Sequence, residues 1–205
     1  MLNLPVLFLF SVILFNSGQL AHTAEQDTVI FTVSPESEVY YTADVRIALV
    51  ATSTVRGVNN EVSGTIEWIE TDSRPFVNAH LTIDASKFDS GNSTRDNDVR
   101  DILNVEEYPE ITFELSTILG LGDEELSNLD GEYVAAGHLT AHGVTNEMSV
   151  PVTIKYANGS LTVEGSVATS YTAFGIDPPR VAGFVSRAPD ELRLHVSLIA
   201  VKVNY

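Results

Sequence analysis

From Thr28 onward apolar and polar residues alternate with a period of two, and no other feature of the 205-residue chain constrains its fold as strongly. The cleanest run is Glu147 to Ala157. Met148, Val150, Val152, Ile154 and Tyr156 fall on one face and Ser149, Thr153 and Lys155 on the other, with Pro151 on the polar face, where an edge or a bulge tolerates it. Asn158-Gly159 follows, the pair that most readily takes the positive φ of a type I′ hairpin turn. The return strand then sets Leu161, Val163, Gly165 and Val167 against Thr162, Glu164 and Ser166. Further strands are read over Thr28 to Ser34, Glu38 to Ala51 (one strand or a bent pair), Glu61 to Ile69, Phe76 to Ala85, Glu110 to Leu119, Glu132 to Ala141 and Glu191 to Val203. Ser53 to Asn60 reads as a loop, and the acidic stretch Leu121 to Gly131 as a mobile one. About eight antiparallel strands in an open sheet would expose two edges, so the sheet must curl, split or close. The pattern predicts an all-β fold and leaves open a filled barrel, a hollow barrel and a sandwich.

One stretch breaks the alternation. Phe88 to Phe113 predicts a short helix over about 93–103, with Ser93 and Asp96 at capping-box spacing and Asp96 and Arg100 at the spacing of a helical ion pair. Val99, Ile102 and Leu103 make a small apolar stripe that would plug or flank a barrel mouth. Pro109 marks the exit by pushing Tyr108 towards an extended conformation.

The first 24 residues carry no charged side chain, and Leu4 to Phe15 is an apolar run of signal-peptide length, short for a membrane span. Residues 1–24 are therefore read as a leader cleaved after Ala24, with an uncleaved anchor as the alternative, and residues 25–205 as one domain in the periplasm or outside the cell. With no cysteine there is neither a disulfide nor a thiolate, and a domain of this size has core enough without them. The net charge of −17 disfavours nucleic acid and anionic membranes as partners. An acidic, ligand-free secreted interaction module remains the alternative to a binding barrel.

The inward faces predicted from the alternation are Leu81 and Ile83; Ile111, Phe113 and Leu115; Val150, Val152, Ile154 and Tyr156; Leu161 and Val163; and Leu194 and Val196. These line a cavity or fill a solid core. Trp68, Phe174 and Phe184 are candidate wall or gate residues. Arg95 and Arg100 suit a phosphate head group, because a guanidinium pairs bidentately with phosphate, or else form ion pairs with Asp96 and Asp101. Arg180, after Pro178-Pro179, is a third head-group candidate, which guards a mouth or else faces solvent. His138 and His142 are four apart but sit on a strand running into a turn, a poor frame for a metal. No G-x-S-x-G motif and no P-loop occurs, so neither catalysis nor a cofactor is expected.

The run from Thr82 to Ile118, with Asp89, Arg95-Asp96, Arg100, Tyr108-Pro109 and Ile111-Thr112-Phe113, resembles the core signature of the YceI-like, polyisoprenoid-binding family. The block from Gly137 to Ile154, GHLTAHGVTNEMSVPVTI, is similar to a second family segment, with His138 where an acidic residue is common. Phe174 to Leu198 resembles a subgroup with Phe-Gly and Pro-Pro-Arg-Val elements. A departure is Pro35-Glu36, where many members carry a histidine after the first strand. The resemblance implies an exported, lipocalin-like closed barrel. Its apolar tunnel, lined by the faces above and Phe174, would hold a long-chain isoprenoid (a quinone or prenyl phosphate) or a fatty-acid-like amphiphile for carriage or sequestration. It leaves the oligomeric state open, with a dimer as one option.

Overall fold

The computed structural model describes residues 27–47, 51–179 and 188–204. Ten antiparallel strands are formed: β1 (Thr28–Val33), β2 (Glu38–Ile47), β3 (Ala51–Asn59), β4 (Val62–Ile69), β5 (Phe76–Asp84), β6 (Glu110–Leu119), β7 (Asp130–Ala141), β8 (Val144–Ala157), β9 (Ser160–Ser170) and β10 (Glu191–Lys202). Eight of them close a barrel in the order β1-β4-β5-β6-β7-β8-β9-β10, because β10 returns to β1 through Phe31↔Lys202 to Val33↔Ala200. Closure removes the edges that so much strand would otherwise expose. The remaining two, β2 and β3, form a hairpin that continues the wall beyond the ring, paired to β10 from Arg193↔Thr42 to Ser197↔Glu38.

One edge of β10 thus serves two successive strands, and the change of partner is made by a side chain. Ser37, fully buried, accepts from Ile199 N at 3.0 Å and donates to Ile199 O at 3.1 Å, standing in for a ladder residue where β1 hands over to β2. Asn59, also fully buried, does the equivalent between β3 and β4. Its Nδ2 donates to Asp84 O at 2.7 Å, and its Oδ1 accepts from Glu61 N at 2.9 Å. Burial of these polar groups is tolerated because each is paired.

The stretch Ser53 to Asn60, expected as a loop, lies almost wholly in strand β3. Its alternation is masked in sequence because the inward positions include the small residues Ser53 and Gly57. Gly57 faces Tyr41 across the hairpin, and the tyrosine ring occupies the space a Cβ there would need, at 2.3 Å. The acidic stretch Leu121 to Gly131 carries a 3₁₀ turn, Leu126–Asn128, with Leu126 and Leu129 buried, so that it caps one barrel end with side chains. Asn158-Gly159 makes its hairpin with both φ values positive, and His142-Gly143 does the same between β7 and β8.

Helix α1 spans Ser93–Leu103, with Asn92 rather than Ser93 as its N-cap: Asn92 Oδ1 accepts from Arg95 N at 3.1 Å. Asp96 does not reach back to Ser93. It is buried and accepts from Ser90 N and Ser90 Oγ, at 2.9 and 2.5 Å, tying the loop before the helix to its first turn. At the C-terminus Asn104 takes the left-handed conformation that ends the helix. Val58 and Asp89 exchange both backbone hydrogen bonds at 2.8 Å, fastening the outer edge of β3 to the segment that leads into α1.

The interior is divided. At one end Phe31, Trp68, Leu126, Leu129, Ile154, Leu161 and Ala200 form a solid core, with Tyr156 edge-on to Phe31 at 5.9 Å. Above it lies a layer of Val33, Val62, Leu81, Ile83 and Leu198. Beyond that layer the barrel is hollow.

Candidate functional site

A cavity of about 690 Å³ occupies this second half, within the size range of small-molecule sites. Its walls follow from strand alternation. Val39, Tyr41, Ala43 and Val45 on β2 point inward, and Val55 does so on β3. Helix α1 covers one side with Val99, Ile102 and Leu103, the apolar stripe seen in the sequence. A short 3₁₀ turn, Thr172–Phe174, closes another side with Tyr171, Phe174 and Ile176, all buried. Asp190 holds that turn through Thr172, accepting from its N–H at 3.0 Å and from its hydroxyl. The Thr172 hydroxyl bond is the leading reason the Asp190 carboxyl titrates below its usual range.

The wall is not uniformly zipped. Pairing between β8 and β9 runs from Ala157↔Ser160 only as far as Val152↔Gly165. Pro151 sits where the ladder ends and has no N–H to contribute, as its place on the polar face foretold. Beyond that point Met148 and Val150 on β8 and Val167 and Thr169 on β9 border the cavity. Asn146 Nδ2 spans part of the gap by donating to Ala173 O at 2.8 Å.

Of the inward faces predicted from sequence, the structure brings ten residues together on the wall: Leu81 and Ile83 of β5, Ile111 and Phe113 of β6, Val150 and Val152 of β8, Val163 of β9, Leu194 and Val196 of β10, and Phe174. It places four elsewhere. Leu115, Ile154, Tyr156 and Leu161 point inward as predicted but belong to the solid core. The reason is level along the barrel axis, which a period of two does not encode: it assigns a face and not a depth. Trp68 is likewise core, nearly fully buried, with its Nε1 donating to Glu70 Oε1 at 2.7 Å. Phe184 and Arg180 lie outside the described residues.

The two helix arginines separate. Arg95 is on the wall, while Arg100 is not. Arg100 donates to Ser86 O at 3.4 Å and to Asn97 Oδ1, which occupies it in the link between the helix and the chain before it. Neither forms an ion pair with Asp96 or Asp101 among the described residues. The described ion pairs are Arg56–Glu38, His80–Glu114 and Lys155–Asp130. No group of three metal-ligating side chains occurs among the described residues.

Among the polar wall residues that sequence reasoning missed are Tyr41 and Tyr171. Tyr41 had a signal, since it falls in phase with Val39, Ala43 and Val45. Tyr171 had a weaker one, since it falls in phase with Val163, Val167 and Thr169 but lies one residue past the end of β9. Burial pushes both phenols up. For Tyr41 burial acts first, opposed by the Arg95 guanidinium and reinforced by Asp96. For Tyr171 the value rises to about 12, from burial first and then from Tyr41 and Asp190. Arg95 donates through Nε to Ser90 Oγ at 2.9 Å, and its two Nη groups have no partner among the described residues. His195, the other basic residue on the wall, is held below its usual range, by burial first and then by Arg193 and Arg56.

A closed antiparallel barrel, filled at one end and hollow and apolar at the other, with a helix laid across the hollow half, defines a lipocalin-like binding fold. The chain belongs to the YceI-like family: the family's domain model matches residues 31–200. Its structure is similar to that of BcnA from Burkholderia cenocepacia, with 22% sequence identity, a TM-score of 0.63, and coverage of 82% of this chain and 99% of that one. It is also similar to a polyisoprenoid binding domain from Saccharophagus degradans implicated in plant cell wall breakdown, with 13% identity, a TM-score of 0.63, and coverage of 86% and 100%. The YceI protein of Campylobacter jejuni aligns with 16% identity and a TM-score of 0.59 over 78% of this chain and 92% of that one. No functionally curated protein matches the chain.

Proposed function

We propose that this protein holds a long-chain isoprenoid or a fatty-acid-like amphiphile in the hollow half of its barrel, for carriage or sequestration outside the cytoplasm. The observation that carries the reading is the cavity itself: about 690 Å³ walled mainly by aliphatic side chains from eight strands and a helix. Such a volume in a close-packed protein forfeits contacts unless an apolar guest restores them. At ~0.8 kcal/mol per buried CH₂, about ten methylenes contribute about 8 kcal/mol before ordering costs, so few polar contacts are needed. Membership of the YceI-like family, together with structural similarity to a domain named for polyisoprenoid binding, supports the lipid class. Export is supported by the uncharged, apolar N-terminal stretch of the sequence. Among the described residues no helix is long and apolar enough to cross a membrane.

The test is organic extraction of the natively purified full chain followed by mass spectrometry, with native mass spectrometry of the unextracted protein. The expected result is a stoichiometric amphiphile; an empty protein that also takes up no added long-chain lipid would overturn the reading. Val150→Glu puts a charge on the cavity wall beyond the end of the β8–β9 ladder, and is expected to abolish lipid retention while the fold persists. Ile154→Asp, which buries a charge in the solid core, is expected to unfold the domain.

A further inference from the structure

The wall of the hollow half is interrupted where the backbone itself withholds a hydrogen bond. Counting back from the two-residue turn at Asn158-Gly159, the pairs whose bonds join β8 to β9 are Ala157↔Ser160, Lys155↔Thr162 and Thr153↔Glu164. Pro151 and Ser166 would be the next, and a proline has no N–H to give. The ladder stops one residue short of it, at Val152↔Gly165. Gly165 allows the strands to touch at this fork, since the Pro151 carbonyl oxygen lies 2.5 Å from the place a Cβ on Gly165 would take. Past the fork β8 and β9 are unpaired with each other, yet each stays zipped to its other neighbour. The β7–β8 ladder runs on to Ala141↔Val144, and the β9–β10 ladder to Glu191↔Ser170. Each bank of the slit therefore has its own ladder, and only the joint between them lacks one.

Among the described residues the turn from Tyr171 to Ile176 bridges the two banks. It belongs to the β9–β10 side: Tyr171 N–H donates to Asp190 O at 3.0 Å, and the Asp190 carboxylate accepts from Thr172 N–H at 3.0 Å and from the Thr172 hydroxyl. Towards the β8 side it is held by two polar contacts. Asn146 Nδ2 donates to Ala173 O at 2.8 Å, and His142 Nδ1 donates to Phe174 O at 3.2 Å. Asn146 is in phase with Met148 and Val150, so the strand gives an inward position to an amide in order to make that contact. Beneath the turn, Phe174 and Ile176 are buried in one apolar cluster with Ala141, Leu139 and Ile102. An incoming apolar chain can replace such contacts in kind.

We propose that the slit between β8 and β9 is a side door of the cavity and that the turn from Tyr171 to Ile176 is its latch. With the Asn146 and His142 contacts made, the door is shut. When they break, the banks part and the turn stays with β9 and β10. An apolar chain then passes sideways between Met148 and Val150 on one bank and Val167 and Thr169 on the other. Parting the banks breaks no ladder bond, because the β8–β9 ladder ends at the fork. The inference rests on the lipid-holding reading and adds the route by which the guest enters and leaves.

The test exploits a chain with no cysteine of its own. Asn146→Cys combined with Ala173→Cys, in the delipidated full chain, is loaded with a fluorescent fatty acid and then bridged by a short bis-maleimide, which ties the latch shut. The readout is the rate at which excess unlabelled palmitate displaces the probe. Bridging is expected to slow that exchange at least about tenfold relative to the same variant unbridged. A bridge between Lys155→Cys and Thr162→Cys, across the zipped part of the same strands, is expected to leave the rate unchanged. Asn146→Ala is expected to exchange about fivefold faster, as the loss of one net hydrogen bond from the closed state allows. Exchange as fast with the latch bridged as without overturns the inference and leaves lipid holding intact. Should the bridge not form, Asn146→Ala decides by itself, and exchange no faster than in the unaltered chain overturns the inference. A chain that takes up neither the probe nor palmitate overturns the lipid-holding reading, and this inference with it.

Discussion

Ser37 shows how much of the architecture rests on single polar side chains. It is fully buried, and its hydroxyl satisfies both the N–H and the C=O of Ile199 at the point where β10 changes partner. Ser37→Ala leaves the Ile199 N–H without its partner in a water-poor setting, while the carbonyl keeps its bond from Ser34 N at 2.7 Å, and we expect a loss of about 1–3 kcal/mol in denaturant unfolding. Valine at the same site would add misfit to that loss. Nothing in the run Pro35-Glu36-Ser37-Glu38 distinguishes this serine from an ordinary turn residue. Its role depends on Ile199, 162 positions away, and no local pattern carries that pairing. The helix start illustrates a smaller error of the same origin. Asn92 and Ser93 are both good caps by residue type, and the choice was made by Asp96, whose side chain is held by Ser90 and is therefore not free to complete a capping box with Ser93.

At the scale of elements, a strand's inward face was legible and its depth was not. The alternation in β8 put Val150, Val152, Ile154 and Tyr156 on one side correctly, yet Val150 and Val152 border the cavity while Ile154 and Tyr156 belong to the solid end. What fills that end includes a segment read as a mobile acidic loop. Asp123, Glu125 and Asp130 are exposed, but Leu126 and Leu129 turn inward from it. Leu126→Ala and Leu129→Ala are each expected to cost about 2–5 kcal/mol in unfolding free energy, the range for deleting a buried leucine side chain. If the two halves of the barrel are functionally separate, these variants retain bound amphiphile in native mass spectrometry for as long as they remain folded. Loss of lipid at unchanged secondary structure would show that the solid end shapes the cavity as well.

At the scale of the whole molecule, closure was foreseeable and the way it is achieved was not. An acidic chain with this many alternating strands had to hide its edges, but ring closure through three residue pairs between β1 and β10 is a matter of tertiary register. The hollow interior also has a consequence for alkaline stability. Tyr171 is protonated in the fold up to about 12, against 10.0 for the free phenol. Its contribution is therefore complete below pH 10 and is lost as pH rises from 10 through about 12, because the unfolded chain releases the proton first. Thermal unfolding followed across that interval is expected to show a falling Tm, and Tyr171→Phe to fall less steeply. Tyr41 and Tyr133, whose phenols are also pushed up by burial, leave a residual slope.

The shared edge of β10 matters in one further way. The ring is already complete through β1 and β4, so the hairpin of β2 and β3 stands outside the circuit of hydrogen bonds that holds the barrel shut. Insertions or deletions at its far end change the reach of the cavity wall without shifting the register of any ring strand. Descendants of such a chain can therefore vary the length of guest they accommodate by altering one hairpin, while the inherited barrel stays as it is.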